Sequence, residues 1–205
     1  SVNSVDVTSG EKINFIYDKP FEVNATTPYV TAQLKGSIKN APVTNIKLNF
    51  NKATGKKVIL KTEPSKKYAG DGPGTIVNGI EATVSPSWSG IEWLGFSGTD
   101  LEVIIDLGEI DTFNTVSTGF LYDKLSWIYP PSQFTVEVSD NGKLYNKIGS
   151  IKIETFQKRT VASIKTNNTT GRYIKITAKN YGIIPSGNPG SGSKPWLFVD
   201  EISIQ

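Results

Sequence analysis

The side chains in this sequence that could carry acid–base chemistry are carboxylates, and they recur in pairs. Asp100 and Glu102 alternate at the start of an extended run, Asp106, Glu109 and Asp111 surround an Ile-Asp-Leu-Gly turn, and Asp200 and Glu201 are adjacent. Glycoside hydrolysis needs only two such groups, about 5–5.5 Å apart in the retaining geometry, facing each other in a cleft. Alternate residues of a strand can approach that spacing. Little other chemistry is available, because the 205 residues contain no histidine and no cysteine. Ser-His-Asp and Cys-His nucleophiles, the HExxH zinc helix, thiolate metal centres and disulfides are all excluded. The run Gly70-Asp71-Gly72-Pro73-Gly74 lacks the Gly-Lys-Ser/Thr ending of a phosphate loop and reads as a tight connection. Carboxylates on exposed strands are ordinary solubility features, and a strand surface gives a shallow site. The chain is therefore expected not to be an enzyme.

Charge points the same way. There are 22 basic and 19 acidic residues, a net +3. A local basic stretch, Lys56, Lys57, Lys61, Lys66 and Lys67, reads as a solvated strand face, since nucleic-acid binders concentrate far more charge. No nucleic-acid partner is expected. No run approaches the ~18 apolar residues of a membrane span. Residues 1–10 lack the pattern of a signal peptide. Methionine is missing altogether, so a processed or excised piece of a longer protein is expected. Absence of cysteine fits an exported bacterial protein as well as a cytosolic one.

The elements that must position these residues are strands. Leu101, Val103, Ile105 and Leu107 alternate with polar neighbours up to a glycine stop at Gly108. Further strands are expected over 115–123, 133–139 and 144–153, over two segments around an Asn-rich turn within 159–181, and over a closing segment from Trp196. Before them come short strands at 12–18, 21–25, 29–35, 44–50 and 57–62, the last two joined as a hairpin through 51–56. No helical periodicity of useful length is present. Short strands punctuated by Gly, Asn and Pro indicate an all-β chain: an antiparallel β-sandwich jelly roll preceded by a small β module. The Gly-, Pro- and Lys-rich segment 63–74 sets the boundary, giving a module over 1–62 and a sandwich over 63–205. The Gly/Pro-rich loop 182–195 is long for a compact domain, and such loops are usually functional or disordered.

Four segments in order carry a resemblance: KKYAGDGPGTIVNGI, WLGFSGTDLEVIIDLG, GFLYDKLSWIYPPSQFTVEVSDNG and KNYGIIPSGNPGSGSKPWLFVDEI. Together they resemble the discoidin-like domains, the coagulation-factor type C or galactose-binding-like fold. The likeness is greatest to family 32 carbohydrate-binding modules appended to bacterial family 20 β-hexosaminidases and chitobiases. It covers about residues 64–205. The preceding strands resemble the small β module that sits between catalytic barrel and sandwich in such enzymes.

The resemblance implies a non-catalytic module that binds carbohydrate, of the terminal galactose or hexosamine type. It also implies a covalently linked glycoside hydrolase in a secreted, periplasmic or cell-surface bacterial protein, with the chain itself a monomer. By the same resemblance a structural Ca2+ would be held by Asn78, Glu81, Thr83 and Glu201, although Asn78 stands where the family places an acidic residue. Sugar contacts would come from three loops: Trp88 in the first; Asp123, Lys124, Trp127 and Tyr129 in the second; Tyr181 and Asn188 in the third. A sugar ring stacks its C–H face on an aromatic ring and needs polar partners at its rim. Trp88, between Ser87 and Ser89, is expected to be exposed; Trp93, Trp127 and Trp196 adjoin apolar runs and suit a core. The alternative is a structural or protein-interaction sandwich that binds no sugar. The lack of histidine favours it, as do arginines confined to Arg159 and Arg172 outside these loops.

Overall fold

The computed structural model describes residues 4–9, 13–19, 21, 23, 29–35, 43–84 and 89–205. The chain divides into two compact units, Ser1–Phe50 and Asn51–Gln205. In the first, β1 (Ser4–Ser9), β2 (Ile13–Ile16), β3 (Tyr29–Lys35) and β4 (Val43–Lys47) form an antiparallel sheet of order β2-β1-β3-β4. The sequence places a hairpin between 44–50 and 57–62. Instead β4 pairs only with β3 among the described residues.

The second unit contains β5 (Lys57–Leu60), β6 (Leu94–Ser97), β7 (Leu101–Leu121), β8 (Gln133–Ser139), β9 (Asn146–Lys152), β10 (Arg159–Lys179) and β11 (Trp196–Ile204). Their order is β6-β11-β7-β10-β8-β9, with β5 pairing the first part of β7 on the edge that β11 takes further along. Residues 57–60, expected in the N-terminal module, thus belong to the sandwich: Val58 pairs with Ile105 and Leu60 with Val103. Burial explains this, since Val58 and Leu60 pack on the core of the second unit.

Two strands of 21 residues build both layers. The first part of β7 pairs with β5 and with residues 173–178 of β10; its last part pairs with β11 and with residues 159–165 of β10. Gly108 and the Asn-rich segment, expected to end strands, mark bends inside continuous ones. The β7–β10 register slips between Lys165 and Thr169 and again between Gly171 and Tyr173. Such slips kink a ladder and let a strand pass from one layer to the next. The alternating residues Leu101, Val103, Ile105 and Leu107, together with Val116, Phe120, Phe134, Ile174, Ile176, Leu197 and Val199, fill one core between the layers. The fold is the all-β sandwich expected from the strand pattern. The ends of this unit meet, the Lys52 N–H donating to the Ile204 carbonyl at 2.9 Å.

Candidate functional site

Register brings the loops together at one end of the sandwich. Leu60 pairs with Val103, Ala178 with Leu101, Lys179 and Lys152 with Gln133, Arg159 with Leu121, and Trp196 with Ser97. Segments 61–72, 98–100, 122–132, 153–158 and 180–195 therefore leave the strands at a common end. Backbone hydrogen bonds join them: Tyr129 N–H to the Trp196 carbonyl (3.0 Å), Trp196 N–H to the Trp127 carbonyl (2.8 Å) and Ser132 N–H to the Lys179 carbonyl (2.9 Å).

The loop 122–132 is shaped by its own side chains. The Asp123 carboxylate accepts from the N–H groups of Leu125 (3.1 Å) and Ser126 (3.3 Å) and from the Ser126 hydroxyl (2.8 Å). It caps the single 3-10 turn Lys124–Ser126, so this carboxylate shapes the loop. Trp127 follows in the left-handed conformation, φ 60°. That strained backbone keeps its indole 42% exposed at the tip, although its apolar neighbours suggested a core position. A Cβ on Gly190, itself at φ +76°, would meet the indole at 2.6 Å, so only glycine lets the late loop lie against this ring.

Tyr129 sits differently from the sequence expectation, while Tyr181 is half-buried. Tyr129 is 3% exposed and packs on Tyr122 and Tyr181 at centroid distances of 5.4 and 5.0 Å, and Phe156 completes the group. Burial pushes the Tyr129 phenol up, the neighbouring Tyr122 and Tyr181 adding to it. These rings brace the loops from beneath. Asn188 is spent locally, its side-chain amide donating to the Pro185 carbonyl at 3.2 Å. Lys124 is exposed. Trp88 lies outside the described residues.

The hollow at this end is built from residues the sequence did not single out as ligands. Tyr68, Trp196 and Phe198, with Ile128 and Ser126, line a cleft of about 210 Å3. Tyr68 meets Trp196 edge-on at 5.3 Å and Phe198 at 4.9 Å. Gly95 makes this possible, because a Cβ there would lie 2.8 Å from both the Phe198 ring and the Tyr68 side chain. The available signal was Lys66-Lys67-Tyr68 just before the glycine-rich turn. Those lysines belong to a 3-10 turn, Lys66–Tyr68, not to a strand face.

The four expected metal ligands do not form a cage. Asn78 donates its amide to Glu92 (2.7 Å) and accepts from the Ile80 N–H (2.9 Å). Glu81 pairs with Arg159 (3.3 Å), and Thr83 is exposed. Only Glu201 is buried, and its oxygens accept from the Asn51 amide and the Gly79 N–H, each at 3.1 Å. The cation in this corner is the Arg159 guanidinium, 2.6 Å from Asp200, which also accepts from the Ala82 and Gly119 N–H groups. Calcium needs six to eight oxygens, and the side-chain oxygens of Asn78, Glu81 and Glu201 already face donors of the chain itself. These four side chains by themselves do not make up such a shell. Among the described residues no group of three or more acidic side chains could hold a metal.

Three of the remaining carboxylates, Asp106, Asp111 and Asp100, are likewise engaged. Asp106 takes Arg172 at 2.7 and 3.0 Å, a hydrogen bond that holds it below the ordinary carboxylate range. Asp111 takes Lys52 at 2.8 and 2.7 Å, with the same effect. Asp100 accepts from the Asn180 N–H at 2.8 Å and so ties the late loop to the start of β7.

No curated protein matches the sequence. Among solved structures, the chain is similar to chitosan-binding module 1 of a Paenibacillus sp. chitosanase/glucanase. That module is 13% identical over 77% of this chain and 99% of its own, with a TM-score of 0.51. A Streptococcus pneumoniae fucose-binding module is 17% identical over 76% of this chain and 94% of its own, with a TM-score of 0.49. A CBM32 module of Clostridium perfringens, solved with GalNAc-β-1,3-galactose, is 14% identical over 72% and 93%, with a TM-score of 0.48. The profile of the F5/8 type C domain matches residues 61–190, more than half of the chain, and with its two-layered all-β sandwich the chain belongs to that family.

Proposed function

We propose that this chain is a non-catalytic carbohydrate-binding module whose ligand seats in the hollow formed by Tyr68, Trp196, Phe198, Ile128 and Ser126. The observation that carries the reading is that hollow: an aromatic floor with a hydroxyl at its edge, at the end where the loops converge. An apolar ring surface suits the C–H face of a pyranose, and Ser126 and nearby backbone groups suit its hydroxyls. At about 210 Å3 the cleft is smaller than the ~300–1,000 Å3 of drug-sized pockets, which favours a single terminal sugar of the galactose or hexosamine type. Carbohydrate-binding relatives of the same fold support the reading.

Weak single-site binding gains when a second contact is made intramolecular. The module therefore works as the targeting part of a longer secreted or cell-surface protein, covalently joined to a glycoside hydrolase. Titration with galactose, N-acetylgalactosamine and N-acetylglucosamine, followed by tryptophan fluorescence, tests this. A saturable change is expected, weakened several-fold in Tyr68→Ala by loss of about 0.5–1.5 kcal/mol of ring contact. A flat response to all three sugars would remove the reading.

One observation favours a second role. Leu125 is 79% exposed, Ile183 56% and Ile91 63%, so the rim offers apolar side chains that a protein partner could cover. A flat sugar titration combined with specific capture of the linked catalytic domain is the outcome expected of that role.

A further inference from the structure

Tyr68 is a wall shared by two clefts. A second cleft, of about 340 Å3, is lined by Lys66, Lys67, Tyr68, Ser89 and Trp93, among others. Its chemistry differs from that of the aromatic hollow. Two of its lining residues are lysines and none is acidic. Two acids adjoin its lining residues in sequence: Glu92 accepts the Asn78 amide at 2.7 Å, and Asp71, next to Gly70, is exposed. The Lys67 ammonium stands 5.2 Å from the Tyr68 ring centre, so cation and shared ring are already paired.

Trp93, 1% exposed, adds a second line of support. Its Nε1 is buried without a hydrogen-bond partner. A Cβ on Gly90, another lining residue, would lie 3.7 Å from the adjoining Cδ1, so the pyrrole edge faces that wall. Ammonium and indole N–H groups donate and cannot accept, and the hydroxyls of Ser89 and Tyr68 can also donate. A wall of donors without a carboxylate suits an acceptor-rich anion, and charge-assisted hydrogen bonds are the stronger kind.

We infer that the Lys66/Lys67 cleft is a second subsite that takes a carboxylate or sulfate group on the sugar next to the one held against Tyr68, so that the module prefers anionic glycans. The inference rests on the carbohydrate reading and narrows it. Because Tyr68 faces both clefts, a ligand of two sugar units can use both without a rearrangement of the fold.

The test is calorimetric titration of the full chain with matched pairs: digalacturonate against neutral digalactoside, and a sulfated galactose disaccharide against its unsulfated form. The acidic members are expected to bind about three- to tenfold tighter at low salt, the scale of one or two exposed ion pairs, with the gap closing at high salt. The double variant Lys66→Gln/Lys67→Gln should bring each acidic ligand down to the affinity of its neutral counterpart. A gap for uronate alone or sulfate alone supports the subsite and identifies which anion it takes. Equal affinities within both pairs overturn it while the hollow still stands, as does an equal loss for acidic and neutral ligands in the double variant. Absence of binding by every ligand overturns both readings together.

Discussion

At the scale of single residues, Arg159 is the side chain that answers the buried Asp200. Its Nε and Nη2 reach the two oxygens of Asp200 at 2.6 and 3.2 Å, and Nη1 reaches Glu81. Asp200 is fully buried and Arg159 about 20% exposed. Removing one partner of such a pair leaves a buried charge uncompensated, which costs about 3–5 kcal/mol. Arg159→Met should therefore lower the thermal midpoint strongly, whereas exchanging EDTA for millimolar Ca2+ should move the native protein little. A rise of many degrees with Ca2+ in scanning calorimetry would contradict the assignment of Arg159 as the cation of this corner.

At the scale of the element, β11 shows how a strand can bury two adjacent carboxylates. Neighbours on a regular strand face opposite sides. Here the register with β7 runs from Val199–Phe120 to Ile202–Thr118, so Asp200 and Glu201 together oppose Gly119. This bulge re-aims both side chains inward, leaving Glu201 2% exposed. Burial pushes its carboxyl from 4.5 up to about 8, with Asp200 adding to the rise and the bonds from Asn51 and Gly79 opposing it. The folded state thus holds the proton more tightly than the unfolded chain. The resulting stability is fully present below pH 4.5 and is lost as pH rises towards 8, by up to about 1.4 kcal/mol per unit. Denaturant unfolding between pH 5 and 8 should show this decline, and Glu201→Gln should flatten it. Asp106 and Asp111, held low by Arg172 and Lys52, act in the opposite sense and only at more acidic pH.

At the scale of the whole molecule, the division after Phe50 assigns β5 and the turn before it to the sandwich. Ala53 is completely buried, Asn51 bonds Glu201, and β5 supplies an edge to β7. A fragment beginning at Asn51 is expected to unfold as one cooperative unit. One beginning at Glu63 leaves the β7 edge open and takes Ala53, Val58 and Leu60 out of the core. It should lose about 1.5–3 kcal/mol, the scale of one fully buried Val or Leu, shared between two half-buried side chains. Equal stability of the two fragments in urea would place the boundary at 62/63 after all.

The sequence by itself determined what depends on local pattern. Alternation along 101–107 and 133–139, glycine and asparagine at the bends, and the lack of helical periodicity were enough for an all-strand sandwich. Missing histidine and cysteine removed most reaction chemistry, and four motifs in order pointed to the discoidin-like family. Only the tertiary structure decided which aromatics face outward. Trp127 is turned out by a left-handed backbone, Tyr129 is sealed beneath the loops, and Tyr68 and Trp196 meet across 128 positions of sequence. It also decided that Asp123 caps a turn and that an arginine answers the buried acids. The reason is physical: exposure and pairing depend on which distant segments share an end of the sandwich, and that follows from strand register across long separations, which a local pattern does not encode.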